Sequence, residues 1–304
     1  MINDSEFNKK FSLPLVNGEF VNDKTFKQVS VLSPSFQYGL TVFEGIRAYY
    51  DSKGIYKPFL LNKHIKRIIN SSKLIGIKLD FSISEIEEDI KKIIKISNFS
   101  NDIYIKYMIG FLDSGSWFSF SNPDRIGFCY ELPSTLRSGK LEFLSASFTS
   151  IQRISSDVLS PKIKCGANYI NSRMGVLDVN KGFSNSIIPI FIDNNGFISE
   201  TSGACLFIIK GMDVITPSLT SSVLESITRS YVLEKIAPYI EGYSFKEKFI
   251  DRWDVLSSDA VFIVGTNVEI KGINKIDHVE FNKNNKALID IFHQFRKIID
   301  YKDD

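Results

Sequence analysis

The sequence predicts a two-domain protein of the α/β (α+β) class. Three observations lead to this prediction: a length of 304 residues, strand-like runs alternating with helical periodicity in both halves, and a segment with proline, glycine and small polar residues near the middle. At about 150 residues per domain, the chain accommodates two domains. We expect a small N-terminal α/β domain over residues 1–133, a linker over 134–140 and a large C-terminal domain over 141–304.

Strand patterns dominate the start of the first half, and helical patterns follow. Short runs rich in β-branched and aromatic residues predict strands, and the pair Asn17-Gly18 is a turn signal inside the first run. Apolar residues recurring at threes and fours predict helices. The predicted strands are 13–21, 26–33, 41–50, 56–61, 102–112 and 125–132, and the predicted helices begin at 62 and cover 84–96.

The second half repeats this mixture without repeating the sequence. Strand patterns again alternate with helical ones, as is typical of α/β and α+β domains. The predicted strands are 141–149, 187–193, 205–211 and 260–266, and the predicted helices lie near 168–181, 226–236 and 286–299.

Composition excludes several classes of protein. The 37 basic residues nearly balance the 35 acidic ones, so we expect no nucleic-acid partner, and 43% hydrophobic residues argue against disorder. No apolar run approaches the about 18 residues of a membrane span, and the first residues lack the apolar core of a secretory signal. Three widely spaced cysteines and three distant histidines indicate neither a disulfide framework nor a metal site. We expect a cytoplasmic protein without a membrane partner.

A few residues have the chemistry of a pyridoxal phosphate site. Lys164 lies among small residues between a Ser-Pro turn and a predicted helix, Glu200 ends a strand-like run, and Arg67 follows His64 by three residues on a helix. Each of these has an ordinary alternative as a surface charge or a cap. The Ser/Thr-rich loop 218–230 runs into a helix whose first N–H groups suit a phosphate, although Ser226 is also an ordinary N-cap. Amine, carboxylate and phosphate donors are what a pyridoxal phosphate enzyme needs.

Six ordered blocks resemble the signatures of the fold-type IV pyridoxal phosphate aminotransferases, most strongly the branched-chain amino acid aminotransferases. They are YGLTVFEGIRAYY, HIKRIINSSKLIGI, KCGANYINS, NGFISETSGACLF, ITPSLTSSVLESITR and VGTNVEI, and they extend in order from about residue 13 to 273. The resemblance implies the D-amino acid aminotransferase-like fold and pyridoxal 5′-phosphate as cofactor. It also implies a homodimer whose active site borrows a loop from the neighbouring subunit.

The resemblance carries site roles onto this sequence. Lys164 matches the catalytic lysine that bonds to the cofactor and moves the proton between Cα and the cofactor. Glu200 matches the carboxylate facing the pyridine nitrogen, and Arg67 matches the arginine on the phosphate. The other cofactor-binding matches are Tyr169 near the ring hydroxyl, Leu224, Ile227 and Thr228 at the phosphate, and Thr266. The substrate-binding matches are Tyr38, Phe43, Tyr104 and Lys106 in the pocket, and Gly265, Thr266 and Asn267 in the turn that receives the α-carboxylate.

The sequence departs from the family pattern at several positions. Lys106 replaces the usual arginine that helps to hold the side-chain carboxylate of glutamate, and an ammonium lacks the bidentate fork of a guanidinium. Leu224-Glu225-Ser226-Ile227-Thr228-Arg229 replaces Leu-Pro-Gly-Ile-Thr-Arg, which places an acid near the phosphate. Ala204-Cys205 and the aromatic segment 113–121 are also unusual.

The main hypothesis is a transaminase that exchanges the amino group between an apolar, branched-chain L-amino acid and a 2-oxo acid such as 2-oxoglutarate by a ping-pong mechanism. One alternative is a lyase of the same fold, similar to aminodeoxychorismate lyase, and another is a D-amino acid or amine transaminase. Retention of Lys164, Glu200 and Arg67 together argues against a relative without catalytic activity.

Overall fold

The structure is a computed structural model, and it describes residues 11–21, 29–118, 120–180 and 187–300. Contacts within the chain group these residues into two compact units. The first contains the described residues up to 134 together with Ile163–Ala167, and the second contains residues 135–162 and the described part of 168–298. The expected domain boundaries stay a prediction. The grouping by contacts places Lys164 in the first unit, and it places residues 135–140 of the expected linker in the second unit.

The first unit is built on a six-stranded sheet with the order β2-β1-β6-β5-β3-β4, and every neighbouring pair in it is antiparallel. Asn17 and Gly18 form the predicted turn, each with positive φ. The strands are β1 (Leu15–Val16), β2 (Glu19–Phe20), β3 (Val42–Tyr50), β4 (Tyr56–Pro58), β5 (Ile103–Gly110) and β6 (Asp124–Glu131).

Three helices belong to this unit: α1 (Pro34–Tyr38), α2 (Leu61–Leu74) and α3 (Ile83–Ile96). Ser82 and Glu85 form a capping box that fixes the start of α3 at Ile83, one residue before the predicted start. The strand predicted over 26–33 is wrong for residues 29–33, which form a turn because Ser30 donates to Leu112 and Ser33 caps α1. Residues 26–28 lie outside the described part.

The alternation of β5 separates a core face from a site face. Ile103, Ile105 and Tyr107 are buried, and the Tyr107 hydroxyl donates to Asp89 of α3, so this face lies under the helices. Tyr104 and Lys106 therefore lie on the opposite face. The fold places two predicted substrate residues side by side because strand side chains alternate with a period of two.

The second unit is built on a mixed sheet with the order β12-β11-β10-β13-β14-β7-β8-β9, and β15 pairs with β14. One cluster of its core is mostly aliphatic and includes Leu206, Ile208, Val261, Ile263 and Ile273. The strands are β7 (Phe143–Phe148), β8 (Ile187–Ile192), β9 (Ile198–Thr201), β10 (Cys205–Lys210), β11 (Asp213–Pro217), β12 (Ser244–Lys248), β13 (Ala260–Gly265), β14 (Glu269–Ile276) and β15 (Val279–Glu280).

The helices of this unit are α4 (Asn168–Val179), α5 (Ile227–Tyr231), α6 (Arg252–Leu256) and α7 (Lys286–Arg296). The helix predicted over 226–236 begins at its Ser226 cap as expected, but continues as a π-helix over Val232–Ile236. A 3₁₀ helix, Thr135–Ser138, occupies most of the predicted linker, because so short a turn leaves no periodicity in the sequence. Among the helices described, none is long and apolar enough to cross a membrane.

Candidate active site

Lys164 is held against the start of β3 by its backbone. Its carbonyl accepts the N–H of Phe43 at 3.0 Å, its own N–H donates to Ser71 Oγ at 3.1 Å, and the next residue, Cys165, forms a bridge with Val42. These contacts fix the segment Ile163–Ala167 alongside the strand. The position of the lysine is therefore set by main-chain hydrogen bonds.

Two lysine amines lie at the ring of Phe43. The Nζ atom of Lys106 is 3.5 Å from the ring centroid, and that of Lys164 is 4.8 Å from it. Burial lowers the pKa of Lys106 to about 7, the charge of Lys164 contributes to this lowering, and Glu44 opposes both effects. The structure thus brings together Phe43, Lys106 and Lys164, three of the residues that the sequence assigns to the site.

Arg67 is locked in place by a buried carboxylate that sequence reasoning missed. Glu44 Oε1 accepts Arg67 Nε at 2.6 Å and Oε2 accepts Nη2 at 2.7 Å, so the guanidinium is held bidentately. Burial alone would raise the pKa of Glu44, but Arg67 and His64 hold it well below its usual range. Arg67 therefore has a fixed orientation, as a phosphate ligand requires.

His64 completes this cluster from α2. Its Nδ1 lies 2.7 Å from Glu44 Oε2, and its Nε2 is buried without a hydrogen-bond partner in the described structure. Burial lowers the pKa of His64, against the raising effect of Glu44, so the ring is neutral and donates from Nδ1. The spacing of His64 and Arg67 is the feature of the sequence that indicates their proximity, because residues three apart on a helix share one face.

In the second unit, Glu200 is an oriented carboxylate. Arg153 Nη2 donates to Glu200 Oε1 at 2.7 Å, and both side chains are buried. The other terminal nitrogen, Nη1, donates to Asn171 at 3.2 Å and to Ser172 at 3.1 Å on α4. Arg153 was not assigned a role from the sequence. Its guanidinium fixes the orientation of the Glu200 carboxylate, as a partner for a cationic ring nitrogen requires.

The predicted phosphate segment ends at the start of α5. Ser226 caps this helix by accepting the N–H of Arg229, and Ile227 and Thr228 are buried directly after it. Leu224, half-buried, lies beside Cys205, whose thiol is 3.9 Å from its carbonyl oxygen. Earlier in the segment, the hydroxyl of Ser221 is buried and has no hydrogen-bond partner in the described structure, so it can donate to a bound ligand.

The predicted carboxylate turn lies between β13 and β14. Gly265 ends β13 and packs closely on the next segment: a Cβ added there would lie 3.3 Å from the carbonyl oxygen of Gly203 and 3.4 Å from Ala204. Thr266 and Asn267 follow in a turn and are half-buried. The turn therefore begins at a residue where only glycine fits closely, as the predicted carboxylate turn does.

The remaining predicted residues are placed within their own units. Tyr104 fills the space over Gly45, where an added Cβ would lie 1.7 Å from its hydroxyl. Tyr38 ends α1, Tyr169 is the second residue of α4, and both are exposed. The structure does not bring Tyr38 into the cluster around Lys164 by any contact described within the first unit. No group of His, Cys, Asp and Glu that could hold a metal occurs among the described residues.

Comparison with known proteins gives one consistent result. Residues 41–276 match the model of the family described as "Amino-transferase class IV". The chain is 31% identical, over 280 residues, to a branched-chain-amino-acid aminotransferase of Escherichia coli strain K12, covering 90% of this chain and 87% of that protein.

Solved structures agree with the sequence comparison. The structure is similar to a branched-chain aminotransferase from Thermoproteus uzoniensis with norvaline, with a TM-score of 0.86, 26% identity and 95% of each chain covered. It is also similar to a branched-chain amino acid aminotransferase from Thermobaculum terrenum in its PLP-form, with a TM-score of 0.85, 26% identity, and 96% of this chain and 95% of that chain covered.

Proposed function

Because this chain belongs to the class IV aminotransferase family, we propose that it is a pyridoxal 5′-phosphate-dependent transaminase that moves the amino group of a branched-chain L-amino acid to a 2-oxo acid. The observation that carries the proposal is the cluster around Phe43. The Lys164 amine lies at the Phe43 ring, and Glu44, the residue after Phe43, fixes Arg67. The similar enzymes from Escherichia coli and Thermoproteus uzoniensis support the branched-chain substrate.

The residues present fit this cofactor. A primary amine, an oriented guanidinium and a buried carboxylate match its carbonyl, phosphate and ring nitrogen, and the unpaired Ser221 hydroxyl adds a donor in the segment predicted to hold the phosphate. When bound, pyridoxal phosphate supplies a carbonyl carbon that receives the amine and a conjugated ring that accepts the electron pair released from Cα.

Lys164 performs the proton transfers. Its ε-amine would take the proton from the substrate Cα and return it to the former carbonyl carbon of the cofactor, on the other side of the substrate nitrogen, so a single flexible base serves both positions. The half-buried setting beside the Phe43 ring limits access of water to this amine. Lys106, whose pKa is lowered to about 7, adds little positive charge to the pocket above neutral pH, which suits an apolar side chain.

The remaining residues bind and orient. Arg67, with its fork fixed by Glu44, binds phosphate oxygens, and Thr228 with the first N–H groups of α5 binds them as well. Glu200, held by Arg153, stabilises the protonated ring nitrogen. Thr266 and Asn267 present backbone N–H groups to the α-carboxylate.

The test is the modification and half-reaction of Lys164. Protein loaded with pyridoxal phosphate, reduced with borohydride and digested, should carry the label on Lys164, and L-leucine should bleach the visible absorbance of unreduced protein while a 2-oxo acid appears. Lys164→Ala should lose both signals, and Lys162→Ala, an exposed lysine two residues away, should keep them. A label elsewhere, or no reaction with leucine, isoleucine or valine, would refute the proposal. Release of pyruvate from aminodeoxychorismate would instead support the lyase.

We also propose that the protein is a homodimer. Two segments of the first unit are tied together by hydrogen bonds from Ser30 to Leu112 and from Gly115 to Leu32, and they carry exposed apolar side chains. Large exposed apolar surface marks interaction sites. The exposed side chains are Val31, Leu32, Phe36, Tyr38, Trp117, Phe118 and Phe120. Sedimentation should give a dimer, and Phe36→Glu should shift it toward monomer; a monomeric wild type would refute this. The cytoplasmic location stays a prediction.

A further inference from the structure

Glu269 adopts a backbone conformation that an ordinary residue avoids. Its φ is +60°, in the left-handed region, and the residue is buried at the first position of β14. This conformation is strained for an L-residue, and glycine is the usual occupant of the left-handed position in a three-residue hairpin connection. An acidic side chain at this position indicates that its carboxylate has a function that outweighs the strain.

The carboxylate of Glu269 binds Thr135. Its Oε2 accepts the backbone N–H of Thr135 at 3.0 Å and the hydroxyl at 3.1 Å. Thr135 begins the 3₁₀ helix, whose next residue, Leu136, is buried and accepts Arg296 Nε at 3.0 Å. The carboxylate is therefore attached to a segment that is itself anchored within the second unit.

The same residue closes the turn of Thr266 and Asn267. Glu269 pairs with Gly265 across β13 and β14, so the turn begins at one member of this pair and ends at the other. Gly265 is held by its close approach to Gly203 and Ala204, and Glu269 is held by its bonds to Thr135. Both ends of the turn are thus fixed, the first by close packing of Gly265 and the second by the charged side chain of Glu269.

We infer that Glu269 is a positioning residue for the α-carboxylate of the substrate. By binding Thr135 it keeps the turn in the conformation in which the N–H groups of Thr266 and Asn267 meet that carboxylate, so no binding free energy is spent on ordering the turn. The inference rests on the proposed function, since it takes the turn to be the carboxylate receptor. It assigns to Glu269 a role without contact to the substrate.

The experiment uses two variants of Glu269 and a matched variant of its partner. Glu269→Gly removes the carboxylate and the backbone strain together. Glu269→Gln keeps one acceptor oxygen, and Thr135→Val removes only the hydroxyl donor. Glu280→Gln on β15 is the exposed control. The ligands are 4-methylpentanoate, which carries a carboxylate on a branched chain, and pyridoxal 5′-phosphate itself.

We expect Glu269→Gly to weaken binding of 4-methylpentanoate to the cofactor-loaded protein by about ten- to a hundredfold, the equivalent of one charge-assisted hydrogen bond. Glu269→Gln and Thr135→Val should give smaller losses in the same direction. The affinity for pyridoxal phosphate should change much less, because Thr266 is only one of the eight residues predicted to bind the cofactor. In cofactor-free protein, hydrogen exchange should accelerate in peptides over 265–269 and stay unchanged over β10.

Three outcomes separate the possibilities. If Glu269→Gly leaves 4-methylpentanoate binding within about threefold and exchange of the turn unchanged, the inference is overturned. If pyridoxal phosphate binding weakens as much as 4-methylpentanoate binding, Glu269 has a general structural role, and the inference is again overturned. If the wild type neither binds 4-methylpentanoate nor reacts with L-leucine, the proposed function has failed, and the inference about the substrate fails with it.

Discussion

The buried carboxylate of Glu44 allows the sharpest test of how the first unit is held together. Its two oxygens receive three donors: Arg67 Nε, Arg67 Nη2 and His64 Nδ1. In Glu44→Gln the side chain keeps its shape but has a single acceptor oxygen. If that oxygen takes the Oε2 position, it keeps the hydrogen bonds from Arg67 Nη2 and His64 Nδ1. The new NH₂ group then faces Arg67 Nε, and because both groups are donors, no hydrogen bond forms between them.

The loss can be estimated from this geometry. One charge-assisted hydrogen bond contributes about 1.5–3 kcal/mol, and removing one partner of a buried ion pair costs about 3–5 kcal/mol. The Arg67 side chain keeps 13% of its exposure, so water compensates in part. We expect the free energy of unfolding of the first unit to fall by about 3 kcal/mol.

Hydrogen exchange in low urea, followed by mass spectrometry of peptides over α2, measures this unit without relying on a two-state transition of the whole chain. Glu88→Gln is the matched control, because Glu88 is exposed and pairs with Lys92 at 3.2 Å on one helix. It should change stability by less than about 0.5 kcal/mol. An effect of Glu44→Gln no larger than that of the control would refute the reasoning.

The pH dependence of this effect has a definite sign. The folded-state pKa of Glu44 lies below its ordinary value of 4.5. The advantage of the wild type over Glu44→Gln should therefore be complete above that value and should decrease as the pH falls through the lower folded-state pKa.

Three further predictions follow from other contacts. Because the Lys106 ammonium deprotonates near pH 7, the affinity for a dicarboxylate such as 2-oxoglutarate should fall as the pH rises through about 7. The affinity of Lys106→Met, measured over the same pH range, should lack this step. An equal decline in the variant would contradict the prediction. Gly45→Ala places a methyl group 1.7 Å from the Tyr104 hydroxyl, so the KM for L-leucine should rise by about tenfold. Gly203→Ala is the control, because its methyl group meets no atom within 4 Å and should leave KM unchanged. Equal KM values in the two variants would count against Tyr104 as a pocket residue. Arg153→Met should destabilise the second unit by about 3–5 kcal/mol, because it removes the guanidinium that pairs with buried Glu200. Lys210→Met is the control, because its ion pair with Asp254 is exposed. Hydrogen exchange over α4 measures the difference, and equal rates in the two variants would exclude this role of Arg153.

Local patterns were sufficient for most elements of the fold. The turn at Asn17-Gly18 and the start of α5 at Ser226 depend on hydrogen bonds within a few residues, so the sequence predicts both of them. The helix predicted from residue 84 begins one residue earlier, at Ile83, after its Ser82 cap. The six ordered motifs likewise indicated the family, and the family match confirms it.

Contacts between distant residues were beyond local patterns. Glu44 and His64 are separated by 20 positions, Arg153 and Glu200 by 47, and Thr135 and Glu269 by 134. No periodicity or capping signal reports such pairs, because their proximity depends on the order and register of the strands. The unusual backbone of Glu269 was invisible for the same reason.

The sequence by itself determined the fold class, the motifs and the types of chemistry: an amine at Lys164, a carboxylate at Glu200 and a guanidinium at Arg67. Only the tertiary structure decided what surrounds each of them. Lys106 lies at the ring of Phe43 because β5 pairs with β3 in one register, and a slip by one residue would turn it to the face under the helices. Burial and neighbouring charge, which set the pKa of such a group, exist only after the strands have paired.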